Sequence, residues 1–527
     1  MSSYRLALLA SAALAGPIAA SMPAYAGTLL TPGDLIVSST LYQGNASTLA
    51  VGQTLPSGPA ATYDGSFPNV FKNTTPDPSF SVTSPIFLTQ YLLGGTNAVP
   101  VVNKQNTIDL TALTGIVTSF ASKSEGALNL SPNGQNLTLL DYKTTANQFD
   151  ISNSNSPAVQ EPGNYTANAT ARTIVNLSTN GVTAVLPTNA YNGNNGRAAI
   201  NVNGVYQLVG NAGNASGSPA TTAAAGLQFL NPATATQTAG TYNTIIGGSF
   251  NLATSPVGAT IDPATGKTYA SEDKASKDNN YRGIAIQNGI TYVTKGSGGN
   301  GINTVYQLNS STGTLSVLPG FNTVPSRTST TSFPFALFFA NDTTLYVTDE
   351  GSGANKASIT AGALTTADLT TAAADSLAGL QKWSLVNGMW QLDYVLQSGL
   401  GLGTPYSVAG TTAGGDTGTY TAATDGLRNL TGRVNPDGTV SLVAVTSTIS
   451  AAGDEGADPT QVLYLDDPIS ATTLPATEQF QTLQVSRYGE VLRGVAYAPA
   501  DVAVPEPASL ALLGIGIAGL AVARRRW

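Results

Sequence analysis

Tyr281-Arg-Gly-Ile-Ala-Ile-Gln-Asn-Gly-Ile-Thr-Tyr-Val-Thr294 is the stretch that decides the fold. Two short runs rich in Ile, Thr, Val and Tyr flank Asn288 and Gly289, residue types that accept the positive φ of a tight hairpin turn. The same form recurs from Glu125 to Leu140, around Ser131-Pro-Asn-Gly134, and from Arg428 to Val443, around Asn435-Pro-Asp-Gly438. There Pro presets the first central turn position and Gly supplies positive φ. A shorter version runs from Arg197 to Val209, and one from Phe335 to Thr348 lacks the leading Arg. Arg493-Gly-Val-Ala-Tyr497 supplies the first half alone. Helical periodicity is almost absent, so the expected class is all-β.

One such hairpin cannot bury both of its faces, so the units must stack on one another. The Ser-Pro-Asn-Gly turn and the Gly-Ile-Ala-Ile … Asn-Gly … Tyr-Val-Thr pattern resemble the repeats of YVTN/NHL-type bacterial β-propellers. The resemblance covers about a third of the body and implies that each hairpin forms the inner two strands of a blade. Repeat starts fall near 126, 198, 283, 336, 429 and 494, with an implied start near 34. Seven blades are expected, with six or eight as neighbouring counts, because the spacing is irregular and wider than the ~40–45 residues of a compact blade. Long loops must therefore intervene; Gly351–Ala378 is one, with a short helix expected inside it, and Asn211–Ala225 is another. The half-repeat at Arg493 should complete the blade begun by Asp34–Tyr42 and clasp the two ends. A β-helix or a sandwich array of the adhesin kind is the alternative architecture.

Both ends read as addresses. Arg5 precedes an apolar run from Leu6 to Ala20, and Ala24-Tyr25-Ala26 offers a small-x-small cleavage site before Gly27. That is the layout of a secretory signal peptide over residues 1–26. At the other end, Val504-Pro505-Glu506-Pro507 is followed by the apolar run Ala508–Ala523 and by Arg524, Arg525 and Arg526. These three parts in this order resemble the PEP-CTERM sorting tail, here residues 501–527. The resemblance implies recognition by an exosortase, a membrane-embedded peptidase cutting near Pro-Glu-Pro, and a bacterial envelope setting linked to exopolysaccharide and biofilm material. Sixteen residues at ~1.5 Å each span about 24 Å, a little short of a ~30 Å hydrocarbon core. A transmembrane helix over 508–523 with its Arg cluster in the cytoplasm leaves the body, residues 27–500, on the far side.

Composition removes whole classes of chemistry. The chain has no His and no Cys, which excludes Ser-His-Asp and Cys-His catalysis, His-ligated zinc or haem, disulfides and thiolate nucleophiles. Net charge is −8, so nucleic acid is not an expected partner. No cofactor is expected; a metal, if any, would be calcium on oxygen ligands. The carboxylates Asp349-Glu350, Asp454-Glu455 with Asp458, and Asp466-Asp467 lack the spacing of a calcium loop and read as solvated loop charges. Lys267, Glu272, Asp273, Lys274, Lys277 and Asp278 read as a charged surface loop. Asn45, Asn73, Asn164, Asn168 and Asn341 in Asn-x-Ser/Thr triplets read as turns and strand ends. Tyr191, Trp383 and Trp390 would stack on sugar rings if exposed, and Trp383 and Trp390 also fit the outer strands of a hairpin around Asn387-Gly388.

Four of the eight arginines between Gly27 and Asp501 open a repeat: Arg197, Arg282, Arg428 and Arg493. On a propeller these positions line the central channel, where a ring of guanidinium forks suits a carboxylate or phosphate. The structural alternative is that each pairs with carbonyls or carboxylates of its neighbours. The expected function is therefore a non-enzymatic, exported binding or scaffold propeller that meets a polysaccharide or a matrix protein, with no catalytic residues. The alternative is a calcium- or quinone-dependent propeller enzyme of the lactonase, phytase or dehydrogenase type.

Overall fold

The computed structural model describes residues 29–44, 81–94, 101–120, 122–147, 149–150, 171–191, 194–212, 224–248, 260–261, 268–269, 279–296, 301–326, 332–352, 364–415, 417–450 and 455–500. The signal cleavage site at Ala24, Ala26 and Gly27 and the tail from Val504 to Arg526 lie outside these residues. So do Lys267, Glu272, Asp273, Lys274, Lys277, Asp278, Asp454, and Asn45, Asn73, Asn164 and Asn168. Among the described residues no helix is long and apolar enough to cross a membrane.

Each quoted hairpin forms, and its turn chemistry is the reason. Ile284–Gln287 and Ile290–Lys295 pair directly, with Asn288 and Gly289 at φ 51° and 75°. Asn203 and Gly204 make the same turn between Gly196–Val202 and Val205–Gly210, at φ 52° and 88°. In the Ser131–Gly134 turn the Gly134 N–H donates to Ser131 O at 2.8 Å.

These hairpins are the inner halves of antiparallel meanders in an all-β, propeller-like arrangement. Four meanders stand as separate blades. One contains Gly196–Val202, Val205–Gly210, Gly226–Leu230 and Ile245–Gly248. The next contains Ile284–Gln287, Ile290–Lys295, Thr304–Asn309 and Thr314–Val317. A third runs through Pro334–Asn341, Thr344–Asp349, Gly379–Val386 and Met389–Leu396. The fourth has five strands, Pro405–Thr411, Thr417–Val434, Thr439–Ser450, Gln461–Pro468 and Gln481–Val485. A branched twelve-stranded sheet holds two further runs of four neighbours. They are Glu490–Tyr497, Leu35–Leu41, Ser81–Gly94, Val101–Asp109 and Asn129–Leu130, Leu137–Tyr142, Arg172–Ser178, Gly181–Thr188.

The two chain ends meet as the sequence suggested. Leu35–Leu41 pairs antiparallel with Glu490–Tyr497, Val37 facing Val495. The repeat starts near 34 and 494 therefore belong to one sheet. Among the described residues four meanders stand as separate blades where seven were expected, and the two chain ends share one sheet as the half-repeat at Arg493 implied. The expected helix in the long connection is present at Thr366–Ala373, held by a reciprocal capping box between Thr365 and Asp368.

Neighbouring meanders share apolar seams. Leu140, Ile174, Tyr191, Ala199 and Leu208 pack across one seam, and Leu380, Leu396, Leu427, Leu442 and Leu463 across another. Val443, Val445 and Val462 meet Leu35, Val37, Leu492 and Val495 at the seam where the ends close.

The Tyr-Val-Thr ending of the repeat has a physical role at these seams. Thr294 Oγ1 accepts from Gly283 N–H within its own hairpin at 2.8 Å and donates to Phe335 O of the next blade at 2.6 Å. Thr348 repeats this, accepting from Ala336 N–H and donating to Arg428 O. Ser38 occupies the same place in the closing sheet, between Gly494 N–H and Gly126 O, both at 2.7 Å. Each hydroxyl is fully buried. The glycines are needed for closeness: a Cβ on Gly283 would lie 2.4 Å from Phe335 O, and one on Gly494 would lie 2.4 Å from Gly126 O. Replacing Thr294 or Thr348 by Val keeps the shape but orphans a buried N–H and a buried carbonyl. Each should cost about 1–3 kcal/mol, and exposed Thr421→Val should cost little. Thermal melts of the three variants check this.

Candidate functional site

The register that makes the hairpins also aims the arginines. Arg282 and Arg493 each precede the glycine whose N–H donates to a stapling hydroxyl, Thr294 and Ser38 respectively. Arg197 opens its strand one residue after Gly196. Arg428 sits in a register shift between Leu427 and Leu430, which turns its side chain inward. Glu125 holds the matching place before Gly126, and Phe335 holds it before Ala336. All four arginines are buried, 3–5% exposed. A guanidinium so far from water needs partners: one internal loop supplies most of them, Arg428 takes Glu350, and Arg197 also donates to Asn280 Oδ1 and Tyr281 O.

That loop is the segment between strand Val117–Ser119 and the Asn129–Leu130 strand. Ser124 Oγ accepts from Arg197 Nε at 3.0 Å and from Arg282 Nη1 at 2.8 Å. Arg493 donates to three loop carbonyls: Ser119 at 3.0 Å, Phe120 at 2.6 Å and Ser122. Lys123 and Arg428 share Glu350 Oε2, at 3.6 and 3.2 Å. Glu125 accepts from Asn195 Nδ2 at 3.1 Å and from the Tyr142 hydroxyl. Arg282 also lies over the Phe335 ring. The structure therefore does bring Arg197, Arg282, Arg428 and Arg493 together, around chain rather than around an open channel. Glu125 and the Ser119–Ser124 loop were not singled out from sequence. The only signal was Glu125 standing where the other repeats carry Arg.

The electrostatics follow from burial. Burial and the neighbouring Arg282 push Arg197 well below the usual guanidinium range, and burial lowers Arg282, with Arg428 adding to it. Burial alone would raise Glu350, but Lys123, Arg282 and Arg428 together hold it below the ordinary carboxylate value. Burial and the charge of Glu125 push Asp141 well above that value.

Several carboxylates expected in solvent are interior. Asp349, Glu350, Asp458 and Asp467 are at most 1% exposed. They are tolerated because donors surround them. Asp349 Oδ2 accepts from Phe333 N–H at 2.7 Å and Ser332 Oγ at 2.9 Å. Asp467 pairs with Lys382 at 2.6 Å and receives the hydroxyls of Tyr346 and Tyr394. Asp466 accepts from Ser441 and Tyr464. No three acidic side chains among the described residues gather as metal ligands. The aromatic candidates are structural too. Tyr191 is fully buried and donates to Gly226 O, Trp383 stacks on Phe321 at 4.0 Å, and Trp390 packs on Phe339. Asn341 accepts from Thr343 N–H, the turn role read from sequence.

The opposite end of the channel is different. A cavity of about 210 Å³ is lined by inner strands of five meanders, mainly by Leu128, Leu130, Ile200, Ile286, Phe339 and Leu430. The chain leaves the described body beside this mouth: Ala500 N–H donates to Gly134 O at 2.8 Å.

Fold and site define an all-β, propeller-like body whose repeat-opening arginines converge on an internal loop. Residues 503–526 match the PEP-CTERM protein-sorting motif, which marks the chain for export and exosortase sorting to the cell surface. No curated protein sequence matches the chain. Similar solved structures include a functionally unknown protein from Desulfotomaculum acetoxidans DSM 771, at 10% identity over 88% of this chain and 99% of that chain, with a TM-score of 0.27. Another is a mutant of Synechocystis apocarotenoid oxygenase, at 8% identity over 80% and 61%, with a TM-score of 0.20. Scores this low carry no functional argument.

Asp349 gives the site a testable pH response. Burial pushes it from 3.8 up to about 7. Between those values the folded protein holds a proton that the unfolded chain has lost, so this group's contribution to stability falls as pH rises through the window. The fall is on the order of 4 kcal/mol. Asp349→Asn should flatten the stability profile between pH 4 and 7 relative to the parent, as followed by melts across that range.

Proposed function

We propose that this protein is an exported, exosortase-sorted envelope or extracellular-matrix component that works as a non-enzymatic scaffold or binding propeller. In this reading the ring has six blades, the two runs of the branched sheet adding to the four separate ones, with the chain ends sharing the closing blade. The observation that carries the functional reading is the filling of the arginine hub by the Ser119–Glu125 loop. Among the described residues the polar cluster of repeat-opening arginines is spent on holding the chain's own backbone, which favours a rigid body over a reaction centre. The sorting motif supplies the cell-surface setting, and exopolysaccharide or another matrix protein is the partner class we assign.

The exit of the chain at Ala500 also orients the body. Pro505 can lie at most about 17 Å from Ala500 even in a fully extended chain. Before processing, with the tail in the inner membrane, the channel mouth and its hairpin turns face the membrane, and the arginine hub faces away. Exposed Ile290 and Val434 lie on the mouth side.

Two measurements test these proposals. The first is thermal stability in the presence of calcium, a chelator, pyrroloquinoline quinone, and neutral and acidic oligosaccharides. A ligand at a hundred times its Kd adds about 2.7 kcal/mol. A saccharide shift supports the binding reading, no shift supports a scaffold with a protein partner, and a large calcium or quinone shift sinks both in favour of an enzyme. The second uses the absence of native cysteine. Asn288→Cys and Asp437→Cys on the mouth side should label more slowly with an aqueous maleimide than Arg487→Cys, while the tail is membrane-held. Equal labelling would reverse the orientation.

A further inference from the structure

Between the five-stranded blade and the closing strand lies a small cavity lined by Lys123, Arg428, Asn429, Thr446, Thr460 and Arg493. Gly456, Val445, Val491 and Leu492 complete its wall. It leaves about 10 Å³ for the centre of a water-sized particle, which is room for one such particle and no more. We propose that this cavity binds one small monovalent anion of the chloride class, and that the anion fastens the ring closure.

Two observations carry this. First, three cationic side chains from three distant parts of the chain border one small space. Lys123 comes from the hub loop, Arg428 from the last separate blade and Arg493 from the closing strand. Second, Arg428 Nη2 is buried without a hydrogen-bond partner, although Nε of the same group is engaged by Glu350. A guanidinium N–H left unpaired away from water is costly, and an anion in the cavity it borders would remove that cost.

Size sets the ligand class. A carboxylated sugar or a phosphate ester does not fit a space for one water-sized particle, so this site is distinct from the open arginine ring expected from sequence. The anion would touch both sides of the seam where Val443 and Val445 meet Leu492 and Val495. Its effect is therefore on closure, and it should stabilise the folded chain without any surface ligand.

The test is diffraction from crystals of the protein soaked in bromide, with melts of the full chain in chloride against gluconate at equal ionic strength. An anomalous peak within hydrogen-bond distance of Arg428, and a saturable rise of about 3 °C in chloride, are expected. Lys123→Met and Arg428→Gln should each reduce the chloride effect at least tenfold in concentration. Lys123 is the more accessible of the two, so its variant keeps the test alive if Arg428→Gln does not fold. A cavity without a bromide peak, or identical melts in the two salts, overturns the proposal and leaves a water there.

Discussion

The structure depends on burying arginine guanidinium groups around a single loop. A buried charge is tolerated only when it is both paired and hydrogen-bonded. Arg493 meets the second requirement with three carbonyls of the Ser119–Ser122 backbone, and Arg197 and Arg282 share the Ser124 hydroxyl. Arg428 meets the first with Glu350. Since these residues come from four different meanders, none can leave the axis without exposing the partners of the others. The loop thus does for the ring what a disulfide does for small exported domains, through hydrogen bonds, in a chain that has no cysteine.

The hydroxyl staples complement the hub. The hub draws the inner strands together at the axis, while Thr294, Thr348 and Ser38 tie each hairpin to its neighbour one layer out. Both devices meet in the Arg-Gly pairs. Arg282 and Arg493 reach the axis, and Gly283 and Gly494 beside them let the next backbone come within hydrogen-bond distance of the hydroxyl. A bulkier residue in either glycine's place would push the seam apart and withdraw the neighbouring arginine from its carbonyls. The repeat is therefore a statement about blade-to-blade contact more than about the blade itself.

This explains what could be read in the sequence and what could not. Hairpins were legible because Asn-Gly and Pro-Asp-Gly fix a turn within four residues, whatever lies around them. The inward direction of the arginines was legible because strand register repeats every two residues. Closure through Arg493 and Asp34–Tyr42 was legible as half of a repeat missing at each end. The Ser119–Glu125 loop was not, since its partners are spread from Arg197 to Arg493 and no local pattern encodes them. The same holds for Asp349, Glu350 and Asp467. Adjacent acids look like loop charges until their distant partners are known: Arg428 and Lys123 for Glu350, Lys382 for Asp467, and Ser332 and Phe333 N–H for Asp349.

The burial of these charges bears on what the surface can recognise. Charged residues are only 10% of the chain, and five of the eight arginines between Gly27 and Asp501 are inside: Arg172, Arg197, Arg282, Arg428 and Arg493. Among the described residues the outer surface keeps Lys104, Lys143, Arg433 and Arg487 as exposed cations beside hydroxyls and amides of Thr, Ser and Asn. Such a surface makes many weak, directional hydrogen bonds and little long-range attraction. Long-range steering of a dilute anion would need guanidinium charge on the outside. The arginines that would have provided that steering are committed to the hub, so the charge that makes the ring rigid is the charge its surface goes without.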